Sequence, residues 1–219
     1  MACAVLALIL AAGAGAQEQE RVRSPWYFGF GVGAFFDATW VTDGAEITWD
    51  DLYKRADTDG VSFKGGGKRG EPPIGVNFRV GRTLSSRVLL GVDLTFIGQE
   101  GISDGQEIAT EITNLFGMLT LFPQQKGLFI RLGGGLSSFS IVEVMGPITD
   151  EFMGYDGSAK HEYEYDGYGG LAGIGYAFWL GRRINLTLNV DHSRQYYYGY
   201  DKGPDESRFT MVYLGFDWY

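Results

Sequence analysis

The chain has 219 residues, of which 45% are hydrophobic and 21% charged, and its formal net charge is −9. This acidic balance argues against a nucleic-acid binder, which needs a basic surface for phosphates. Cys3 is the one cysteine in the sequence, so no intramolecular disulfide can stabilise the fold, and the 34 glycines and 13 tyrosines favour β structure.

The first residues have the pattern of a secretory signal peptide. An apolar run over residues 4–12 is followed by Ala14-Gly15-Ala16, a small-residue pattern typical of signal-peptidase sites. We predict a signal peptide over residues 1–16, which contains Cys3, and a polar periplasmic leader over residues 17–25. The apolar run is too short to span a bilayer comfortably, and no later stretch has the long apolar run of a transmembrane helix.

The rest of the chain alternates apolar and polar residues with the period of β-strands. The last segment is the clearest, because Val212, Leu214, Phe216 and Trp218 form one continuous apolar face. One phase is ambiguous, since leucines oppose phenylalanine and methionine over residues 115–122. We predict eight strands, over residues 26–36, 74–83, 87–98, 108–122, 128–139, 163–179, 184–191 and 208–219.

The connections between these strands are alternately long and short. Residues 84–86, 123–127 and 180–183 form short turns, whereas residues 37–71 and 143–160 form long polar loops. Strands of about 9–11 residues can cross a bilayer when they are tilted. Short turns at one end with longer loops at the other are typical of membrane-spanning barrels.

Lysine placement indicates which strand face is outside. A water-facing strand surface normally carries several charges, but none of the six lysines falls on a predicted strand: Lys54, Lys64, Lys68, Lys126, Lys160 and Lys202. Backbone groups in hydrocarbon must be satisfied within the sheet, so the sheet must close on itself. We therefore predict an all-β fold, an eight-stranded antiparallel up-and-down transmembrane β-barrel over residues 26–219, with its apolar face towards lipid.

Aromatic residues gather near both ends of the predicted strands. Amphipathic rings form girdles where hydrocarbon meets headgroups, although aromatics also favour strands in general. The predicted girdle contains Trp26, Trp179 and Trp218 near the short turns, and Tyr196 and Tyr198 near the loops.

With these features the chain resembles the small eight-stranded outer-membrane barrels of the OmpA/OmpX/OmpW type. The resemblance covers residues 26–219 and rests on the signal peptide, the eight strands and the closing VYLGFDW. It implies export to the periplasm, insertion by the barrel-assembly machinery, and contact with outer-membrane lipid and lipopolysaccharide. Such barrels usually end on an aromatic residue in phase with lipid, whereas here Trp218 is in phase and Tyr219 lies one residue beyond.

Charged residues on the inward phase are the first candidate site. The interior of an eight-stranded barrel is just filled by side chains, and an unpaired buried charge is strongly unfavourable. We therefore predict a polar network that pairs across the lumen, with an ion gate as the alternative. Its members are Arg79, Asp93, Arg131, Asp191 and Asp217.

A lipid-modifying enzyme is a further hypothesis. Barrels that deacylate lipid A place a serine two residues after a histidine on one strand face. Here His192 faces outward, Ser193 inward, and Arg194 occupies the serine position. A nucleophile needs its base within hydrogen-bond reach, and this spacing denies it even with Glu206 nearby. We predict no catalytic residues.

The long loops are acidic. Oxygen ligands of this kind suit Ca²⁺ or Mg²⁺, but Asp57-Thr58-Asp59-Gly60 lacks the later ligands of a calcium loop. We therefore predict solvated loops without a metal or cofactor, with Lys64, Lys68 and Arg69 as an alternative contact to lipopolysaccharide. The sequence favours a monomeric, non-enzymatic barrel with a role in envelope integrity or surface interaction. A narrow channel for small or hydrophobic solutes is the second hypothesis.

Overall fold

The computed structural model describes residues 24–42, 44–48, 74–103, 106–124, 127–145, 159–198 and 204–219. Within them no helix is long and apolar enough to span a membrane. The predicted signal peptide and most of the leader lie outside the described residues. The strands are β1 Trp26–Thr42, β2 Ala45–Thr48, β3 Ile74–Ser85, β4 Val88–Ser103, β5 Gln106–Leu121, β6 Leu128–Met145, β7 Ala159–Trp179, β8 Ile184–Tyr197 and β9 Glu206–Trp218.

The sheet closes on itself. Neighbouring strands pair antiparallel in the order β1-β3-β4-β5-β6-β7-β8-β9, and β1 pairs with β9 to complete the ring. The short strand β2 pairs with the far end of β1, from Thr39↔Thr48 to Thr42↔Ala45. The barrel wall therefore has eight strands, which confirms the predicted fold, and β2 is a hairpin extension of β1 that the sequence pattern did not reveal.

We call the end of the barrel that carries the short turns the short-turn end. There the predicted strand bounds are accurate to within two residues. At the opposite loop end every wall strand except β3 runs further than predicted. For example, β1 continues to Thr42 and β8 to Tyr197. In these extensions fewer outward side chains are apolar, because the strands have passed the lipid-facing belt, so alternation of apolar residues no longer marks them.

Apolar side chains cover the outside of the barrel, as predicted. Phe28, Val32, Leu136 and Leu214 are among the large hydrophobic residues that are exposed on the wall. The ambiguous strand β5 follows the same rule, with Leu115 exposed. A bulge in β1 between Phe36 and Thr39 shifts the phase, so that beyond it Trp40 is buried inside the barrel.

The core lies in the lumen and has three layers. A mainly aromatic cluster fills the short-turn end, with Tyr27, Leu89, Phe122, Phe129, Ala177 and Tyr219. A larger apolar cluster fills the loop end and includes Phe35, Trp40, Ile97, Ile112, Phe139 and Phe209. Charged residues lie between them, since Asp93 follows Leu89 and precedes Ile97 on β4, and Arg131 follows Phe129 and precedes Phe139 on β6.

Candidate functional site

The middle layer of the lumen is centred on Arg131, whose side chain is 2% exposed. Its Nη1 donates to Asp191 Oδ2 at 2.6 Å, and its Nη2 donates to Asp93. Nη1 also bonds the hydroxyl of Tyr213, which donates to Asp191 Oδ2 at 2.8 Å. One guanidinium on β6 thus connects carboxylates on β4 and β8 across the lumen.

A second ion pair completes this layer. Arg79 on β3 lies 3.1 Å from Asp217 Oδ1 on β9, and both side chains are buried. The guanidinium carbon of Arg79 is 5.6 Å from the Tyr213 ring centroid, and that of Arg131 is 5.9 Å away. Both cations are therefore within range of a favourable contact with the same aromatic ring. The structure places all five predicted lumen residues in this layer.

Inward-facing glycines make room for these charges. A Cβ at Gly173 would collide with the carboxylate of Asp191, and a Cβ at Gly29 would collide with that of Asp217. Glycine at these positions lets the large side chains of the facing strands lie flat against the backbone.

Sequence reasoning missed three members of the layer, Tyr213, Asn77 and Thr95. The ring of Tyr213 lies near both cations. Asn77 donates to Asp93 and, at 2.9 Å, to Thr95 Oγ1. All three lie on the inward phase of their strands, which is the signal that could have identified them. Their polar groups give the buried carboxylates the partners that water would otherwise supply.

The layered packing leaves little free volume around the charged layer. A cavity of about 20 Å³ remains between the charged layer and the short-turn cluster, lined by Tyr27, Arg79, Arg131 and Phe129 among others. That volume suits about one water molecule.

The girdle residues divide into two groups. Trp26 and Trp218 are exposed on the wall at the short-turn end, and Tyr198 is exposed at the loop end, with Tyr196 half-buried beside it. Trp179, in contrast, lies in phase with inward-facing Ala177, and its ring stacks on Tyr219 at 5.7 Å. The prediction relied on closeness to the strand end, whereas the strand phase turns this ring towards the lumen mouth.

The histidine of β8 faces outward and Ser193 is buried, as the alternation predicts. His192 Nδ1 instead lies 3.1 Å from the Oγ1 of Thr210 on the neighbouring strand. Glu206, the carboxylate considered with them, bonds arginines further along the wall rather than His192. The described contacts of His192 therefore include no carboxylate to orient it as a base.

A charged cluster on the outer wall was not predicted. Arg194 on β8 donates from Nε and Nη2 to the two carboxylate oxygens of Glu206, at 2.6 and 2.7 Å. Arg208 on β9 bonds the same carboxylate through Nε, and its Nη1 donates to Glu46 at 3.1 Å. The continuing alternation of β8 beyond Asp191 is the sequence signal that could have located it.

Within the described ranges, no three His, Cys, Asp or Glu side chains are grouped to hold a metal ion. Most of the acidic residues of the long loops lie outside those ranges, as do Lys64, Lys68 and Arg69.

Comparisons with known proteins agree with the fold. Neither a family model nor a curated protein sequence matches the chain. Among solved structures, Neisserial surface protein A matches with a TM-score of 0.51 at 10% identity, over 89% of this chain and 97% of that one. The attachment invasion locus protein Ail of Yersinia pestis matches with a TM-score of 0.50 at 9% identity, over 89% and 99%. The closed eight-stranded ring and these matches together assign the chain the fold of the small outer-membrane β-barrels.

Proposed function

We propose that the chain is a closed-lumen barrel of the bacterial outer membrane that has no enzymatic activity and acts at the cell surface. After export to the periplasm and insertion by the barrel-assembly machinery, it works as a monomer. Its role is in envelope integrity or surface interaction, through the long connections over residues 49–73 and 146–158. The observation that carries this proposal is the buried layer of paired charges around Arg131.

The closed lumen favours a role outside the barrel. A water-filled channel needs a continuous polar path, but here two apolar clusters flank a layer of paired charges. With the interior committed to packing, the loops offer the surface on which a partner can act. Two proteins of similar fold have names that fit this role, a Neisserial surface protein and an attachment invasion locus protein.

Planar-bilayer recording on the refolded mature chain tests the closed lumen. We expect no stable conductance steps, because ions would have to cross buried ion pairs and aromatic packing. Arg131→Ala serves as the comparison, since it removes the central cation while leaving the wall intact. Steady conductance of the wild-type barrel would contradict the proposal.

Deleting residues 49–73 tests the role of the loops. We expect the barrel to keep its thermal stability in detergent while cells that express it lose adhesion to host surfaces or resistance to detergent. Deletion of residues 146–158 gives a second, independent loop variant. If neither deletion changes either cellular property, the proposed role of the loops is wrong.

A narrow channel for apolar solutes is the second candidate. It is favoured by the apolar cluster at the loop end, whose side chains suit an apolar solute. An apolar fluorescent probe that binds the refolded barrel, and is released by Phe209→Ala, would favour this candidate over the first.

A further inference from the structure

A line of outward-facing residues crosses five strands of the wall at matched register. Gly117 on β5 pairs with Gly134 on β6, which pairs with Gly170 on β7. Gly170 pairs with Arg194 on β8, and Arg194 pairs with Arg208 on β9. Three positions without side chains therefore lead directly to the two guanidinium groups.

Side chains on both sides turn this line into a groove. A Cβ added at Gly117, Gly170 or Gly134 would meet a backbone oxygen at 3.8, 3.5 or 3.2 Å and no side-chain atom within 4 Å, so no neighbouring side chain covers the floor. Two residues away along each strand, about 7 Å, outward side chains form a ridge on either side. One ridge contains Leu115, Leu136, Tyr168 and Tyr196, and the other contains Leu119, Leu132, Ala172 and His192.

The groove slopes across the membrane. Arg194 lies ten residues from the short-turn end of β8 at Ile184, whereas Gly117 lies four residues from the corresponding end of β5 at Leu121. At about 3.3 Å per residue and a tilt of about 40°, ten residues rise about 25 Å, the height of the apolar band of such barrels. Arg194 therefore stands at the headgroup level of the outer leaflet, and the glycines descend into hydrocarbon.

The arginines are held in place for an anion. Glu206 accepts hydrogen bonds from Arg194 on both carboxylate oxygens, and it accepts another from Arg208. This shared carboxylate holds the two planar guanidinium groups side by side. Arg194 remains 48% exposed, and its guanidinium carbon lies 5.0 Å from the Tyr196 ring centroid. Guanidinium groups bind phosphate through paired hydrogen bonds, and Glu206 offsets one of these two positive charges.

We propose that this groove binds one lipopolysaccharide molecule from the outer leaflet. Arg194 and Arg208 contact a phosphate of its lipid A headgroup, and one acyl chain lies along Gly170, Gly134 and Gly117 between the two ridges. The position of the site indicates this ligand. The arginines lie at the height of headgroup phosphates and the glycines at the height of acyl chains, and one lipid carries both groups. The proposal rests on the outer-membrane location proposed above and not on whether the lumen conducts.

Lipid titration of the refolded mature chain tests the headgroup contact. Diphosphorylated lipid A in mixed detergent micelles is the probe, and bound lipid is counted by native mass spectrometry. We expect Arg194→Gln with Arg208→Gln to weaken binding roughly tenfold or more, because two charge-assisted contacts are lost. The double lysine variant, which keeps the charge without the planar fork, controls for folding and should bind with intermediate affinity.

Arg82→Gln is the matched control. This arginine also faces outward beside an aromatic ring, since its guanidinium carbon lies 5.4 Å from the ring centroid of Trp26. Arg82 differs from Arg194 in lying at the short-turn end. We expect the Arg82 variant to keep wild-type affinity. An equal loss of lipid A affinity in the Arg82 variant and in the double glutamine variant would contradict the site. The site would also be contradicted if the double glutamine variant lost as much affinity for lipid A without phosphates as for diphosphorylated lipid A. Displacement of lipid A by equimolar inorganic phosphate would also contradict a lipid-specific site.

Gly170→Leu tests the acyl-chain part of the groove. The added side chain fits the wall but fills the floor beside Arg194, so we expect binding of diphosphorylated lipid A to weaken about fivefold, the effect of losing a few apolar contacts. Gly98→Leu places the same side chain on the wall outside the groove, where a Cβ meets nothing within 4 Å. Identical affinities for these two variants would overturn the proposed path of the chain.

Discussion

Two charged clusters in this barrel share their chemistry but differ in their surroundings. In the lumen, Arg131 and its two aspartates are almost fully enclosed, with side chains 2–5% exposed. On the outer wall, Arg194 and Arg208 share Glu206 but remain 48% and 35% exposed. The first cluster must satisfy its charges internally, whereas the second can exchange a protein partner for water or a headgroup.

The difference indicates what each cluster contributes. Removing one member of a buried pair leaves an uncompensated charge in a low-dielectric interior, so the penalty falls on folding. Removing one member of an exposed pair costs little, because solvent takes its place. We therefore expect the lumen cluster to control stability, and the wall cluster to control what binds there.

The largest effect is expected for Arg131→Ala. Asp93 and Asp191 would lose their shared cation while remaining buried, so the free energy of unfolding should fall by about 3–5 kcal/mol. Urea unfolding of the refolded barrel in detergent measures this change. Adding Asp93→Asn and Asp191→Asn should recover part of the loss. An unchanged unfolding midpoint for Arg131→Ala would contradict the network.

A smaller loss is expected for Tyr213→Phe. The hydroxyl contacts both Arg131 and Asp191, so its removal leaves buried polar groups with fewer partners, at a cost of about 1–3 kcal/mol. The ring remains beside both arginines, which makes this variant specific for the hydrogen bonds. Urea unfolding equal to that of the wild type would show that the hydroxyl contributes nothing to the layer.

Gly173→Ala should be destabilising although it adds one methyl group. The new Cβ would collide with the Asp191 carboxylate, and such overpacking typically costs about 1–3 kcal/mol. Gly98→Ala is the matched outward control and should stay within about 0.5 kcal/mol of the wild type. Equal melting temperatures for the two variants would count against the close packing of the lumen.

The smallest effect on stability is expected for Arg194→Met. Its guanidinium is 48% exposed, and Glu206, whose side chain is 10% exposed, keeps its bond to Arg208 in this variant, so melting in detergent without added lipid should change little. A loss comparable to that of Arg131→Ala would mean that the wall cluster is a structural element, and the contrast between the two clusters would fail.

The fold was predictable because alternation is strong where one strand face meets lipid. The closing strand, with Val212, Leu214 and Trp218 in phase, indicated this from the sequence alone. The hairpin strand β2 was not predictable, since four residues within a polar loop carry too few alternations. Strand ends beyond the apolar belt were underestimated for the same reason.

The candidate sites were only partly predictable. Strand phase identifies Arg131 and Asp191 as inward-facing, but the arginine reaches carboxylates on β4 and β8, and such contacts across the lumen depend on barrel curvature. The cluster at Arg194 lies beyond the predicted end of β8 at Asp191, and Glu206 lies outside the predicted strands. The groove at Gly134 requires the register of several strands, which the sequence does not provide.

The central claim is that the apolar face meets lipid while the lumen is packed and closed. Quenching of tryptophan fluorescence by brominated phospholipids tests this claim most directly. Two variants each carry one tryptophan, either Trp218 on the outer wall or the residue introduced by Phe116→Trp inside the barrel at membrane height, with every other tryptophan replaced by phenylalanine. We expect strong quenching of Trp218 and little quenching at position 116, where the wild-type ring is 2% exposed. Strong quenching at position 116 with little quenching of Trp218 would contradict the account.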